Sequence, residues 1–146
     1  MSLRTVLLGA ALLALPTAVV AQTATEKPKH PRIGNETELG RKYTQWFFDA
    51  QYDSLWAHMN QDMRDDLGEA AAIAEHREQF ASRVGEETAV LMEMVMMRNG
   101  APQYWRTSSY TMMTEPVMLR WVIVDGEIWG IGMNLASQAP PTDPEQ

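Results

Sequence analysis

Two dipeptides, Asn99-Gly100 and Asp125-Gly126, constrain this chain more than any other feature of it. Each tolerates the positive φ angles of a two-residue type I′ turn, and each lies between runs rich in β-branched, aromatic and methionine side chains. Two tight hairpins are therefore expected within residues 88–134. Their loops set the register, with Glu93 opposite Arg106, Val95 opposite Tyr104, Ile123 opposite Ile128 and Trp121 opposite Gly130. Between the hairpins, a two-residue turn at Thr114-Glu115 with Pro116 opening the next strand puts Tyr110 opposite Leu119, Ser108 opposite Trp121 and Arg106 opposite Ile123. A slip of one residue there would exchange the faces.

This pairing sorts the side chains into two sets. One face carries Tyr104, Tyr110, Leu119, Trp121, Ile123 and Ile128, with Leu91 at one end and the charged pair Glu93 and Arg106 in its middle. The other carries Met92, Met94, Met96, Trp105, Met118 and Trp129 beside Thr107 and Arg120, which is too apolar for an ordinary solvated surface. Both faces want cover.

The cover for one of them lies upstream. Asn35 followed by Glu38 has the spacing of a capping box, and Leu39, Tyr43, Trp46, Phe47 and Ala50 then recur at helical intervals. Asp53 is placed to cap a short second helix carrying Leu55, Trp56 and Met59, and Met63 and Leu67 continue an apolar side to Gly68. Residues Ala70 to Val84 present Ile73, Arg77, Phe80 and Val84 as a stripe, and Gly85 stands where a helix end needs a left-handed residue. Helices first and strands afterwards give an α+β fold, with the N-terminal helices stacked on the concave face of a curved four-stranded antiparallel sheet. The methionine-rich face is left without cover from its own chain, and a partner subunit is the natural candidate.

The ends read differently from the middle. Residues 1–21, with one positive charge at Arg4, an apolar run to Leu15, Pro16 and the small-residue sequence Val19-Val20-Ala21, have the pattern of a secretory signal peptide cleaved after Ala21. Residues 22–34 are expected to be a flexible linker, 35–135 one domain, and 136–146 a disordered proline-containing tail. Cleavage would leave eleven basic against nineteen acidic side chains, a net charge of −8 that makes nucleic acid an unsuitable partner. No segment after the signal is apolar enough to span a membrane, and the absence of cysteine excludes disulfides and thiolate metal sites. A periplasmic or secreted location follows from these expectations.

The order of elements resembles the nuclear-transport-factor-2-like superfamily, the cone-shaped α+β fold. The stretches Leu39 to Phe48, Tyr52 to Trp56, Met63-Arg64, Gly85 to Thr88 and Pro116 to Gly130 are similar to the extracytoplasmic version of it that precedes serine-hydrolase or cell-wall metallopeptidase domains in bacteria. These are mostly core and turn positions. No Ser-x-x-Lys motif or histidine-rich zinc site follows the last strand here, so the resemblance implies the accessory role, binding or positioning something, and not the chemistry of the associated domains.

Three candidate sites follow. Glu93 and Arg106, walled by Tyr104, Tyr110, Trp46 and Trp121, could hold the polar group of a small apolar or cell-envelope ligand in the cone, although a cross-strand ion pair needs no ligand. An isomerase-like or hydrolase-like enzyme could use Glu93 as base and a tyrosine hydroxyl as oxyanion donor, but Arg106 beside Glu93 would depress its pKa. Met92, Met94 and Met96 alternate beside Trp105, a set that a soft ion such as Cu(I) could use; packing in a homodimer or on a protein partner, with Met118 and Trp129, uses it as well. His30, His58 and His76 lack ligand spacing, so no zinc site and no cofactor are expected. The reading with the widest support is a non-catalytic binding or interaction domain.

Overall fold

Both expected turns form. In the computed structural model of the protein, which describes residues 34–138, Asn99 and Gly100 have φ of 52° and 75°, and Asp125 and Gly126 have 50° and 84°. The expected signal peptide, the linker up to residue 33 and the tail from residue 139 lie outside the described residues.

The chain runs α1 (Glu36–Phe48), α2 (Tyr52–His58), α3 (Gln61–Leu67), α4 (Ala71–Val84), β1 (Glu87–Arg98), β2 (Ala101–Tyr110), β3 (Val117–Val124) and β4 (Glu127–Leu135). The four strands form one antiparallel sheet in the order β1-β2-β3-β4, so the fold is α+β with an open meander. One short 3₁₀ turn, Ala136–Gln138, follows β4 and occupies the first three residues of the expected tail, 136–146. It is tied to the loop before β3 by the Ala136 amide donating to the Pro116 carbonyl at 2.9 Å and the Ser137 amide donating to the Glu115 carboxylate at 2.7 Å.

The helices pack on one face of the sheet. Tyr43 and Phe47 of α1, Leu55 of α2, Ile73, Phe80 and Val84 of α4 meet Tyr104, Tyr110, Leu119, Trp121, Ile123 and Ile128 in one buried cluster. Side chains from alternate positions of the strands supply the sheet's half of it, as the pleat dictates. Gly40 is what lets α1 sit close: a Cβ there would fall 2.1 Å from the Tyr104 ring. A second tie is polar, because Trp121 Nε1 donates to Thr44 Oγ1 at 2.9 Å while that hydroxyl donates to the Gly40 carbonyl at 2.7 Å. One threonine thus satisfies a fully buried indole.

Several local expectations are corrected. Asn35 stands at the start of α1, but its side chain makes no capping hydrogen bond, and the Gly34 amide is taken by Glu36 instead. Helix α2 starts before Asp53, which lies in its first turn, and Gln51 occupies the cap position. Asn60 is the working cap, its side chain accepting from the Met63 amide at 3.0 Å at the start of α3.

The middle connection is longer than a two-residue turn, since residues 111–116 all lie outside β2 and β3. Arg106 consequently pairs with Leu119 instead of Ile123, and Trp121 with Tyr104 instead of Ser108. The displacement is an even number of residues, so each side chain keeps its face. A bulge between Val122 and Ile123 makes Trp129 the extra residue of β4, and Trp121 lies opposite Ile131, with Gly130 opposite Val122. Irregularities near Ala89 and Val90 turn the first half of β1 outward, and Leu91, expected on the helix side, is 55% exposed.

Candidate functional site

The inner face of the sheet has two ends of different character. At the α1 end, charges alternate along a chain of four groups. The Arg41 guanidinium grips the Glu93 carboxylate with Nη2 at 2.8 Å and Nε at 3.1 Å, Glu93 reaches Arg106 Nη1 at 3.4 Å, and Arg106 forks onto Glu87 at 2.6 and 2.9 Å. The Tyr104 hydroxyl also donates to Glu93. Glu93, Arg106 and Glu87 are each largely shielded from solvent, whereas the Arg41 side chain is 60% exposed.

The electrostatics follow from that geometry. Hydrogen bonding by Arg41 holds the Glu93 carboxyl below its usual range, against the opposing effect of burial. Burial pushes Glu87 up, but the Arg106 fork outweighs it and leaves that carboxyl lowered too. Burial, reinforced by the Glu93 carboxylate, raises the Tyr104 phenol, and Tyr110 is pushed up to about 12 by burial and by Glu87. A carboxylate with a depressed pKa that already accepts from two arginines and a tyrosine is a poor general base.

At the other end, where the link from α2 to α3 is tied to β4 by the Asn60 amide donating to the Ile128 carbonyl at 3.0 Å, the helices and the β3–β4 hairpin border an open-mouthed cavity of about 670 Å³. Its walls are Phe47, Leu55, Met59, Met63, Leu67, Ile73, Phe80 and Val84 from the helices, and Val117, Trp121, Ile131, Met133 and Leu135 from the strands, with Met113 from the long connection. The polar lining residues are His76, Gln79 and Arg83 along α4, with Asn134 of β4 and Gln138 after it. Its volume and largely apolar lining fall within the range of small-molecule pockets.

The structure therefore separates the residues that the sequence grouped. Glu93, Arg106 and Tyr104 come together in the charge cluster, and Tyr110 packs edge-on against Phe80 at 5.4 Å. Trp46 packs against the core beside Tyr43 and edge-on to His58, with Lys42 Nζ 4.4 Å from its ring centre. Of the six, Trp121 alone lines the cavity. Sequence reasoning missed Arg41, whose partner is 52 residues away, and it missed Arg83, although Arg83 adjoins the apolar stripe of α4 and falls seven residues after His76.

On the outer face, Met92, Met94, Met96, Trp105 and Met118 do share one side, in rows with Gln103, Thr107 and Arg120. Their exposure is uneven: Met92 is 43% and Trp129 50% exposed, whereas Trp105 is 2% exposed and Met118 is buried. The Arg120 guanidinium lies over the Trp105 ring at 5.6 Å, in space left by Gly132 on β4. Trp105 Nε1, Gln103 Oε1, Thr107 Oγ1 and Arg120 Nε are buried without hydrogen-bond partners.

Among the described residues, no group of histidines and carboxylates has the geometry of a metal site, and no helix is long and apolar enough to cross a membrane. Compared with known proteins, the chain matches no family model, no curated sequence and no solved structure.

Proposed function

We propose that this protein is a non-catalytic binding domain that holds a small apolar molecule between its short helices and the β3–β4 hairpin. The observation that carries the reading is the cavity of about 670 Å³, walled by aliphatic, aromatic and thioether groups. Its polar residues are few, with His76, Gln79 and Arg83 in a strip along α4, as expected of a site that orients a ligand instead of transforming it. The acid–tyrosine pair that an isomerase-like mechanism needs is at the other end of the sheet, with its carboxylate already occupied by Arg41, Arg106 and Tyr104. The helix order and the meander keep the resemblance to secreted nuclear-transport-factor-2-like accessory domains as the family reading, with a cell-envelope ligand as its natural cargo.

Mass spectrometry of the purified protein under native conditions tests this directly. A bound apolar molecule is expected in the wild type and not in Met133→Trp, which fills the cavity from β4. An empty wild-type protein that also fails to take up a neutral apolar dye would remove the proposal.

A second reading concerns the outer face, and the occupant it takes is a second copy of the chain. Met92, Met94 and Met96 share this face, and the helices pack on the opposite one, so a two-fold axis through it would set an apolar surface against its own copy. Exposed Met92 and Trp129 supply apolar edge. Light scattering is expected to give a dimer that Met94→Glu converts to monomer; a monomer in both cases rejects it.

A further inference from the structure

The cavity lining is electrostatically at odds with the chain that builds it. The sequence has nineteen acidic against twelve basic side chains, yet among the described residues no aspartate or glutamate lines the cavity, and Arg83 does. Glu75 and Glu78 of the same helix are not part of the lining, whereas His76, Gln79 and Arg83, equally exposed, stand at its rim.

Most arginines near the helices are engaged. Arg41 and Arg106 are matched by carboxylates, Arg64 donates to the Met59 carbonyl and to Gln61, and Arg77 lies over Phe47 and Phe48. Arg83 makes no ion pair and no side-chain hydrogen bond among the described residues. It stands in the last turn of α4, two helical turns after His76 with Gln79 between, so all three share the side turned to the cavity. Gln138 adds an uncharged amide to the lining, and Asn134, directly opposite Met118 in the sheet, turns its side chain to the outer face. One rim of an apolar hollow therefore offers hydrogen-bond donors and a fixed positive charge, and no negative one.

The walls add a second constraint. Met59, Met63, Met113 and Met133 all contribute, and unbranched thioethers adapt to a flexible chain better than a rigid wall would. We infer that the ligand is a single-chain amphiphile with an anionic head, its aliphatic tail among Leu55, Ile73 and Trp121 and its head at Arg83. This rests on the cavity reading above and specifies its ligand class. Carboxylate and phosphate heads share the required chemistry, and the guanidinium fork accepts either.

Displacement of a neutral solvatochromic dye from the purified protein distinguishes the possibilities, with dodecanoate, dodecyl phosphate, dodecan-1-ol and dodecyltrimethylammonium each kept below self-association. At least one anion is expected to bind about fivefold more tightly than the alcohol, the size of effect an exposed ion pair supports, and the stronger anion identifies the head. The ammonium is expected to be the weakest. In Arg83→Gln the anions should fall to the affinity of the alcohol, whose own binding stays unchanged, while Lys42→Gln, which removes a charge away from the cavity, should keep the preference. Equal affinity for alcohol and anions, or a preference that survives Arg83→Gln, overturns the anionic head and leaves the apolar cavity standing. Failure of all four to displace the dye, or of the dye to bind, overturns both.

Discussion

The two ends of the sheet's inner face are built from similar materials and finish in opposite states. At the α1 end, the charged groups find partners: Arg41, Glu93, Arg106 and Glu87 neutralise one another in sequence, Tyr104 donates to Glu93, and Thr44 satisfies Trp121, although the buried Ser108 hydroxyl has no partner among the described residues. At the α4 end, apolar side chains line a hollow that they do not fill, and Arg83 stands at its edge with no carboxylate partner among the described residues. A closed set of interactions has little left to offer a ligand, whereas an unfilled one does. Arginines and carboxylates alone do not mark a site; what matters is whether their partners are already in place.

If this contrast holds, substitutions at the closed end should change stability and leave binding alone, and those at the open end should do the reverse. The largest effect is expected from Gly40→Ala. Its methyl would overlap the Tyr104 ring, and prying α1 from β2 should cost about 3 kcal/mol in a urea unfolding series. Next is Thr44→Val, which keeps the shape but strands the Trp121 N–H in the core; a loss of about 2 kcal/mol is expected by the same measurement, and no loss would mean that water replaces the hydroxyl.

The carboxylates come third. Glu87 and Glu93 both have folded pKa values below their usual range, so their contribution is complete above about pH 4.3, where an unfolded glutamate ionises, and is lost as pH falls through the lower folded values. Unfolding midpoints measured from pH 7 to pH 2 should therefore decline in acid for the wild type, and less steeply for the double variant Glu87→Gln, Glu93→Gln. Parallel curves would show that the cluster is not what couples stability to pH. The smallest effect is expected at the open end: Arg83→Gln should shift stability by no more than about 0.5 kcal/mol while altering ligand preference. A large stability loss there would erase the distinction between the two ends.

Much of the sheet was legible because type I′ turns leave a signature in two residues. Asn99-Gly100 fixed the Glu93 to Arg106 pairing, and Asp125-Gly126 fixed Ile123 to Ile128. The connection at residues 111–116 has no such signature, and its length could not be read from Thr114, Glu115 and Pro116. The inside and outside of the second hairpin survived that error only because the displacement was even. The bulge at Trp129 was hidden for a similar reason: Gly130 fits a bulge and an ordinary strand position equally well.

The site was less legible than the sheet. A cross-strand pair such as Glu93 and Arg106 follows from register alone, but Arg41 reaches it from a helix whose docking depends on Gly40 and Tyr104. A cavity is harder still, because it is made by what the side chains of α2, α3 and α4 fail to reach. Met63, Leu67, Ile73 and Phe80 read as apolar helix faces in the sequence, and nothing in their spacing says that they stop short of Ile131 and Met133.

The short turn after β4 gives the molecule a usable handle. Gln138 belongs to the rim of the hollow, and its neighbours Ala136 and Ser137 are pinned to Pro116 and Glu115. A cysteine introduced at that position would be the chain's first thiol, so a dye could be coupled there without competing chemistry. A fluorophore so placed would sit on a fixed perch beside the entrance and would report by its colour whether the chamber is filled.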